Sequence, residues 1–147
     1  MDMRKKVGHE PIINVGATVL VFNENNELLL NLRSDFLCWG IPGGGKELKE
    51  TLEECAIREL KEETNINAKD LKFLAVLSGP EYFMKYPNED EVDCVITLYK
   101  VENYSGSLKI NDDESLKLKF FPLDNLPKLD NNAARIIDKI KSGEIKL

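Results

Sequence analysis

The sequence has no apolar run long enough to cross a bilayer. Its longest, around Val15 to Phe22 and Val92 to Leu98, have the length of strands. Cysteine is scarce: Cys38, Cys55 and Cys94 are odd in number, widely spaced and without a CxxC pair. That argues against a disulfide framework or a zinc site and predicts reduced, mostly buried thiols. An excess of positive charge is missing too. A formal net charge of −6 speaks against the basic face that goes with binding to nucleic-acid duplexes. It leaves room for a small phosphorylated substrate, because a bound cation reverses the local sign. No internal repeat or low-complexity linker interrupts the chain. The opening MDMRKKVGHEP is positively charged, but neither an apolar signal region nor a small-residue cleavage site follows it. The expectation is a cytoplasmic protein with no membrane partner.

What is present reads as one globular unit spanning residues 1–147, with 42% apolar and 31% charged residues. A short helix is expected from Met3 to Gly8, with Pro11 at the entry to the first strand. The β-branched run from Asn14 to Phe22, the turn residues Asn23 to Asn26 and the apolar run Leu28 to Leu32 form a hairpin signature. A glycine-rich loop, Asp35 to Gly45, leads to the best-marked helix in the chain. Thr51 and Glu54 make a capping box at its start. Asn65 suits its end, since asparagine tolerates the left-handed conformation. Strands are expected at Leu71 to Leu77, Val92 to Val101 and Lys117 to Phe121, and a closing amphipathic helix at Asn132 to Lys141. The stretch GPEYFMKYPNED between two of these strands reads as irregular. The pattern suggests an α/β fold, a mixed β-sheet covered by helices on both faces.

Chemistry concentrates in PGGGKELKETLEECAIRELKEETNI, Pro42 to Ile66. Leu52, Ala56 and Leu60 form the buried stripe of its helix, with Cys55 and Ile57 on the flanks. Glu59 and Glu63 lie only about 20° to either side of Leu52 and Glu62 about 80° away, while Lys61 points about 180° away into solvent. These glutamates repel one another at i+3 and i+4, each pair by roughly 0.2–0.5 kcal/mol. They also crowd the end of the helix where its dipole disfavours negative charge. Two readings stand on the acids alone. One is a solvated glutamate-rich face paired with Lys49, Arg58 and Lys61. The other is a site for a hard divalent cation, whose preferred ligands are carboxylate oxygens. Gly43, Gly44 and Gly45 tilt the balance, because three successive glycines let the backbone approach a ligand.

The segment resembles the signature of the Nudix (MutT-like) hydrolases, G-x5-E-x7-R-E-U-x-E-E-x-G-U with U a bulky aliphatic residue. It maps onto Gly44, Glu50, Arg58, Glu59, Leu60, Glu62, Glu63 and Ile66, and departs only in placing Asn65 where the family has glycine. Trp39 to Gly45, the strand pattern before it and FFPLDNLP ending at Pro127 extend the resemblance over nearly the whole chain. It implies an α/β/α sandwich with the signature forming a loop-helix-loop. By the same resemblance Glu59, Glu62, Glu63 and the Gly43 carbonyl hold Mg2+, or Mn2+ in its place. Gly44 and Glu50 support the motif, and Arg58 orients carboxylates. Glu114 is the candidate further ligand or general base, against a plain loop acid, with Asp112 and Asp113 as stand-ins. The activity implied is hydrolysis of a diphosphate linkage in a nucleoside diphosphate joined to another group, first ADP-ribose or another nucleotide sugar. Alternatives are nucleoside triphosphate pyrophosphohydrolysis, dinucleoside polyphosphate cleavage, and a noncatalytic nucleotide-binding regulator. Subgroup markers conflict, with Pro80 and Tyr82 both near the informative window. Arg33 either meets a phosphate or caps a solvated edge. Tyr82, Phe83 and Tyr86 either stack on a base or pack against the sheet. Homodimers are frequent in similar proteins.

Overall fold

Residues flanking the turn at Asn23 to Asn26 are apolar consecutively rather than alternately, the pattern of strands buried on both faces. The computed structural model, which describes residues 2–110 and 115–147, uses them in that way. In chain order its elements are α1 (Asp2–Val7), β1 (Ile12–Leu20), β2 (Glu27–Arg33), β3 (Trp39–Gly40), β4 (Gly43–Gly45), α2 (Leu52–Thr64), β5 (Asn67–Leu77), a 3-10 turn (Pro80–Tyr82), β6 (Phe83–Lys85), β7 (Glu91–Ser105), β8 (Ser115–Pro122) and α3 (Asn131–Lys141). Val19, Val21 and Leu29 face one core, closed by Cys55, Ala56 and Leu60 of α2. Leu20, Leu28 and Leu30 face another, closed by Ile136 and Ile137 of α3. Helices therefore cover both sides, as the resemblance implies.

One mixed sheet has the order β4-β1-β7-β5, with β6 continuing along β7, and an antiparallel sheet has the order β3-β2-β8. The parallel pair β1 and β7 runs in register from Ile12 beside Val92 to Leu20 beside Lys100.

The hairpin expectation needs correcting. The turn forms, with Asn26 at φ 59° and the Asn23 N–H donating to the Glu27 carbonyl at 3.0 Å. Beyond a bridge between Phe22 and Leu28, however, β1 and β2 part into different sheets. Both edges of β1 are taken, one by β4 and the other by β7, so β2 pairs with β8 instead. Strand β5 also starts at Asn67 rather than Leu71, and the stretch GPEYFMKYPNED holds the 3-10 turn and β6. Ile57, expected at the flank of the buried stripe, is exposed. At five residues from Leu52 it lies about 140° round the helix from the stripe's centre.

α2 begins and ends where its end signals put it. The Thr51 hydroxyl accepts from the Glu54 N–H at 3.1 Å and the Glu54 carboxylate from the Thr51 N–H at 2.9 Å. Asn65 closes the helix in the left-handed region at φ 69°, its N–H donating to the Lys61 carbonyl. Because the cap fixes where the helix starts, it also fixes the rotation that carries every later side chain. Thr51→Ala should lower stability by about 1 kcal/mol in urea denaturation, whereas Asn65→Gly should leave it nearly unchanged.

Candidate active site

β4 is the platform of the site. In its antiparallel pairing with β1, Val19 N–H donates to the Pro42 carbonyl and Lys46 N–H to the Val15 carbonyl. Antiparallel pairing alternates, so Gly43 and Gly45 turn their polar groups away from β1. Those groups meet α2. The Gly43 N–H donates to the Glu63 carboxylate at 3.0 Å, and the Gly45 carbonyl accepts from Arg58 at 3.0 Å. Gly44 has a steric reason to be glycine. A Cβ there would sit 2.4–2.6 Å from the Glu59 carboxylate, which lies directly over the backbone.

Arg58 gathers the acids. Its guanidinium donates to both Glu50 oxygens at 2.6 and 3.0 Å, to Glu59 at 2.9 Å and to Glu62 at 3.2 Å. These bonds hold the Arg58 pKa above its usual value, the Glu50 hydrogen bond contributing most. In return Arg58, helped by the Glu47 N–H, brings the Glu50 carboxyl down to about 2. Burial, followed by the negative charge of Glu50, pushes the Cys55 thiol up to about 11, so it stays protonated, donating to the Gly44 carbonyl at 3.5 Å. Glu63 is 4% exposed, while the Glu62 side chain is 52% exposed. The acids thus run from a buried member to one open to solvent. Glu114 lies outside the described residues.

A cleft of about 360 Å³ opens beside Glu63 and the three glycines. Arg33 lines it, but its donors are engaged: two bonds to Asp35 at 3.0 and 2.7 Å and one to Asp130 at 3.3 Å. Burial would lower its pKa, and the Asp35 bond and neighbouring charges outweigh that and raise it. Tyr86 also lines the cleft, its ring 5.4 Å from that of Phe36. The other two aromatic candidates fall elsewhere, which corrects the stacking expectation for them. Tyr82 is 1% exposed and packed in the α3 core. Phe83 pairs with Asp93 on the face of the sheet away from the cleft, and the next residue, Met84, lines the cleft instead, since strand side chains alternate.

Several cleft residues escape a sequence reading. Asn31, Asp130 and Asn132 line it. A signal existed for the first two: Asn31 is the polar break in the strand LLLNLR, and Asp130 precedes the last helix, which it caps by accepting from the Ala133 N–H at 2.7 Å. Among the described residues, Asn31 Oδ1 and Asn132 Oδ1 are buried without a hydrogen-bond partner.

The NUDIX domain family model matches residues 13–140, and the chain belongs to that family. An ADP-ribose pyrophosphatase from Methanocaldococcus jannaschii is 35% identical over 125 residues, covering 84% of this chain and 70% of that protein. A putative 8-oxo-dGTP diphosphatase from Bacillus subtilis is 40% identical over 67 residues, covering 46% of this chain and 45% of that protein. Among solved structures, a MutT NUDIX hydrolase from Burkholderia pseudomallei has a TM-score of 0.74 at 25% identity, covering 88% of this chain and 98% of that one. The chain is, as a class, a Nudix hydrolase acting on small nucleoside diphosphate derivatives. Among the described residues no helix is long and apolar enough to cross a membrane.

Enzymes of this family work with divalent metal ions. Among the described residues no three histidine, cysteine or acidic side chains converge on one point as they stand. The donor chemistry nevertheless fits such an ion. Glu59, Glu62 and Glu63 supply hard oxygens, and the Cβ missing from Gly44 is what leaves room for the Glu59 carboxylate.

Glu50 yields a prediction about acid stability. Its pKa falls on folding from the ordinary 4.5 to about 2, so its stabilising contribution is complete above pH 4.5 and is lost as pH drops toward 2. The stability gap between the wild type and Glu50→Gln should close across that window, as followed by thermal melts at stepped pH.

Proposed function

We propose that the chain hydrolyses the diphosphate bridge of ADP-ribose or a closely related nucleotide sugar, with Mg2+ as the working ion and Mn2+ able to replace it. One observation carries the substrate: the likeness to the archaeal ADP-ribose pyrophosphatase runs through 84% of the chain, well beyond the signature. The cleft supports it. Asn31, Asp130 and Asn132 give one wall of the cleft a polar character suited to the hydrogen-bonding groups of a base or sugar. Tyr86 offers a ring face beside them.

Glu59, Glu62, Glu63 and the Gly43 carbonyl would hold the ion. When bound it lowers the pKa of a coordinated water and offsets charge on the phosphoryl oxygens. The protein's own share is positioning and proton transfer. Arg58 holds Glu59 and Glu62 from one side, and the Gly43 N–H holds Glu63 from the other. Glu62, open to solvent, and Glu114 are the carboxylates proposed to accept the proton of the attacking water. Arg33 acts on substrate through Asp35 and Asp130, by shaping the cleft wall, rather than as a free phosphate ligand. A second reading, cleavage of nucleoside triphosphates, draws on the likeness to the Bacillus subtilis protein, which covers 46% of this chain.

A substrate panel separates these readings. ADP-ribose, a second nucleotide sugar, a nucleoside triphosphate and a dinucleoside polyphosphate are incubated with and without Mg2+, and products are resolved chromatographically. AMP and ribose 5-phosphate should form fastest, chelation should stop the reaction, and Glu62→Gln should slow it by about 10²-fold or more. Faster release of pyrophosphate from the triphosphate supports the second reading. No turnover with any divalent ion, or an unaffected Glu62→Gln, overturns both.

A further inference from the structure

A three-residue strand carries part of the cleft wall. β6 pairs with β7 alone, Phe83 beside Asp93, Met84 beside Val92 and Lys85 beside Glu91. By strand alternation Met84 and Tyr86 point to one side, and both line the cleft. A hairpin arm this short is marginal on its ladder alone. Its turn is closed by the Tyr86 N–H donating to the Asp90 carbonyl at 2.8 Å and the Glu89 N–H donating to the Tyr86 carbonyl at 2.9 Å. Asn88 ties to Asp90 twice, accepting from its N–H at 3.0 Å and donating to its carboxylate at 3.2 Å. Where Asp90 is held, Tyr86 is held with it.

The N-terminal segment supplies that hold. Among the described residues, none from Arg4 to Glu10 belongs to either apolar core, so the segment is attached by polar contacts. Most of them run through Arg4, whose side chain is only 15% exposed. Its guanidinium donates to the Glu10 carbonyl at 2.6 Å, to the Gly8 carbonyl at 3.1 Å and to the Glu91 carbonyl, and its Nε stands 3.7 Å from the Asp90 carboxylate. His9 Nδ1 lies 2.7 Å from the other Asp90 oxygen. A planar fork engaged by several acceptors fixes orientation as well as distance. On the far side of the turn the Tyr86 ring meets Phe36, over which the Arg33 guanidinium lies at 5.1 Å.

We infer that Arg4 is a positioning residue of the cleft: it clasps the hairpin of β6 and β7 to the N-terminal segment and so sets where the Tyr86 ring stands for a nucleotide base. This rests on the reading that Tyr86 offers its ring to the base. Arg4, His9 and Asp90 are not among the residues lining the cleft, so Arg4 acts through the hairpin and not by touching the nucleotide.

A double-mutant cycle on the full chain tests the inference, read by calorimetric titration of AMP in the presence of Mg2+. AMP has no diphosphate bridge to cleave, so binding is measured apart from turnover. Tyr86→Ala should weaken AMP binding about tenfold, and Arg4→Ala about three- to fivefold. In the Tyr86→Ala background Arg4→Ala should have no further effect, because its route to the ligand is gone. In turnover Arg4→Ala should raise KM by the same factor and leave kcat within about twofold. Asp90→Asn, which keeps the size of the side chain and removes its charge, is the second variant should Arg4→Ala fail to fold by circular dichroism. It should weaken AMP binding about twofold and also lose its effect when Tyr86 is alanine. Wild-type affinity in folded Arg4→Ala overturns the inference. So does an equal loss with and without Tyr86, which marks a general effect of the arginine's charge or of the fold, and so does a fall in kcat with KM unmoved. Absent AMP binding by the wild type, or full affinity in Tyr86→Ala, removes the reading of Tyr86 and the inference with it. The predicted cycle in a protein that hydrolyses neither ADP-ribose nor a nucleoside triphosphate upholds the inference and overturns the proposed activity.

Discussion

Everything at the site depends on one guanidinium set among carboxylates. Arg58 bonds to Glu50, Glu59 and Glu62 and to the Gly45 carbonyl, tying together the loop before α2, the helix itself and strand β4. Glu63, one turn on, is held separately by the Gly43 N–H. Among the described residues, the positive charge of Arg58 pairs with Glu47, Glu50, Glu59 and Glu62 and has Glu63 close by, so the cluster keeps a negative excess even with every bond made. Helix propensity does not favour such crowding, and the dipole at that end of the helix opposes it. The arrangement makes sense as a site prepared for a cation, with Arg58 keeping the acids gathered and a divalent ion supplying the charge they lack.

Local signals translated into structure where they had a local cause. The Thr51 box and Asn65 set the ends of α2, and its length set which glutamates reach the buried margin. Glu63 proved buried and Glu62 open, in the order their angles round the helix require. Gly44 was legible as part of a motif, but its reason was not: the carboxylate lying on it belongs to a residue fifteen positions later.

What failed to read were consequences of pairing at a distance. The turn at Asn23 to Asn26 is a genuine turn, yet β1 is claimed by β4 and β7, and no feature of the turn reveals that. Phe83 is next in sequence to Met84, which reaches the cleft, and misses it because the register of β6 decides which side chains face it, whereas Tyr82, in the 3-10 turn before β6, is drawn into the core under α3. The polar wall made by Asn31, Asp130 and Asn132 joins two segments about a hundred residues apart. That wall lies outside the signature, and the signature alone defines a chemistry and not a substrate.

The most direct measurement is Mn2+ binding followed by electron paramagnetic resonance, in the wild type and in Glu59→Gln, with no nucleotide present. If the acids around Arg58 form a cation site, the wild type binds Mn2+ and Mg2+ competes it away. Glu59→Gln, folded by circular dichroism, should then bind at least about tenfold more weakly. Equal binding by the two proteins, or none by the wild type, contradicts the account.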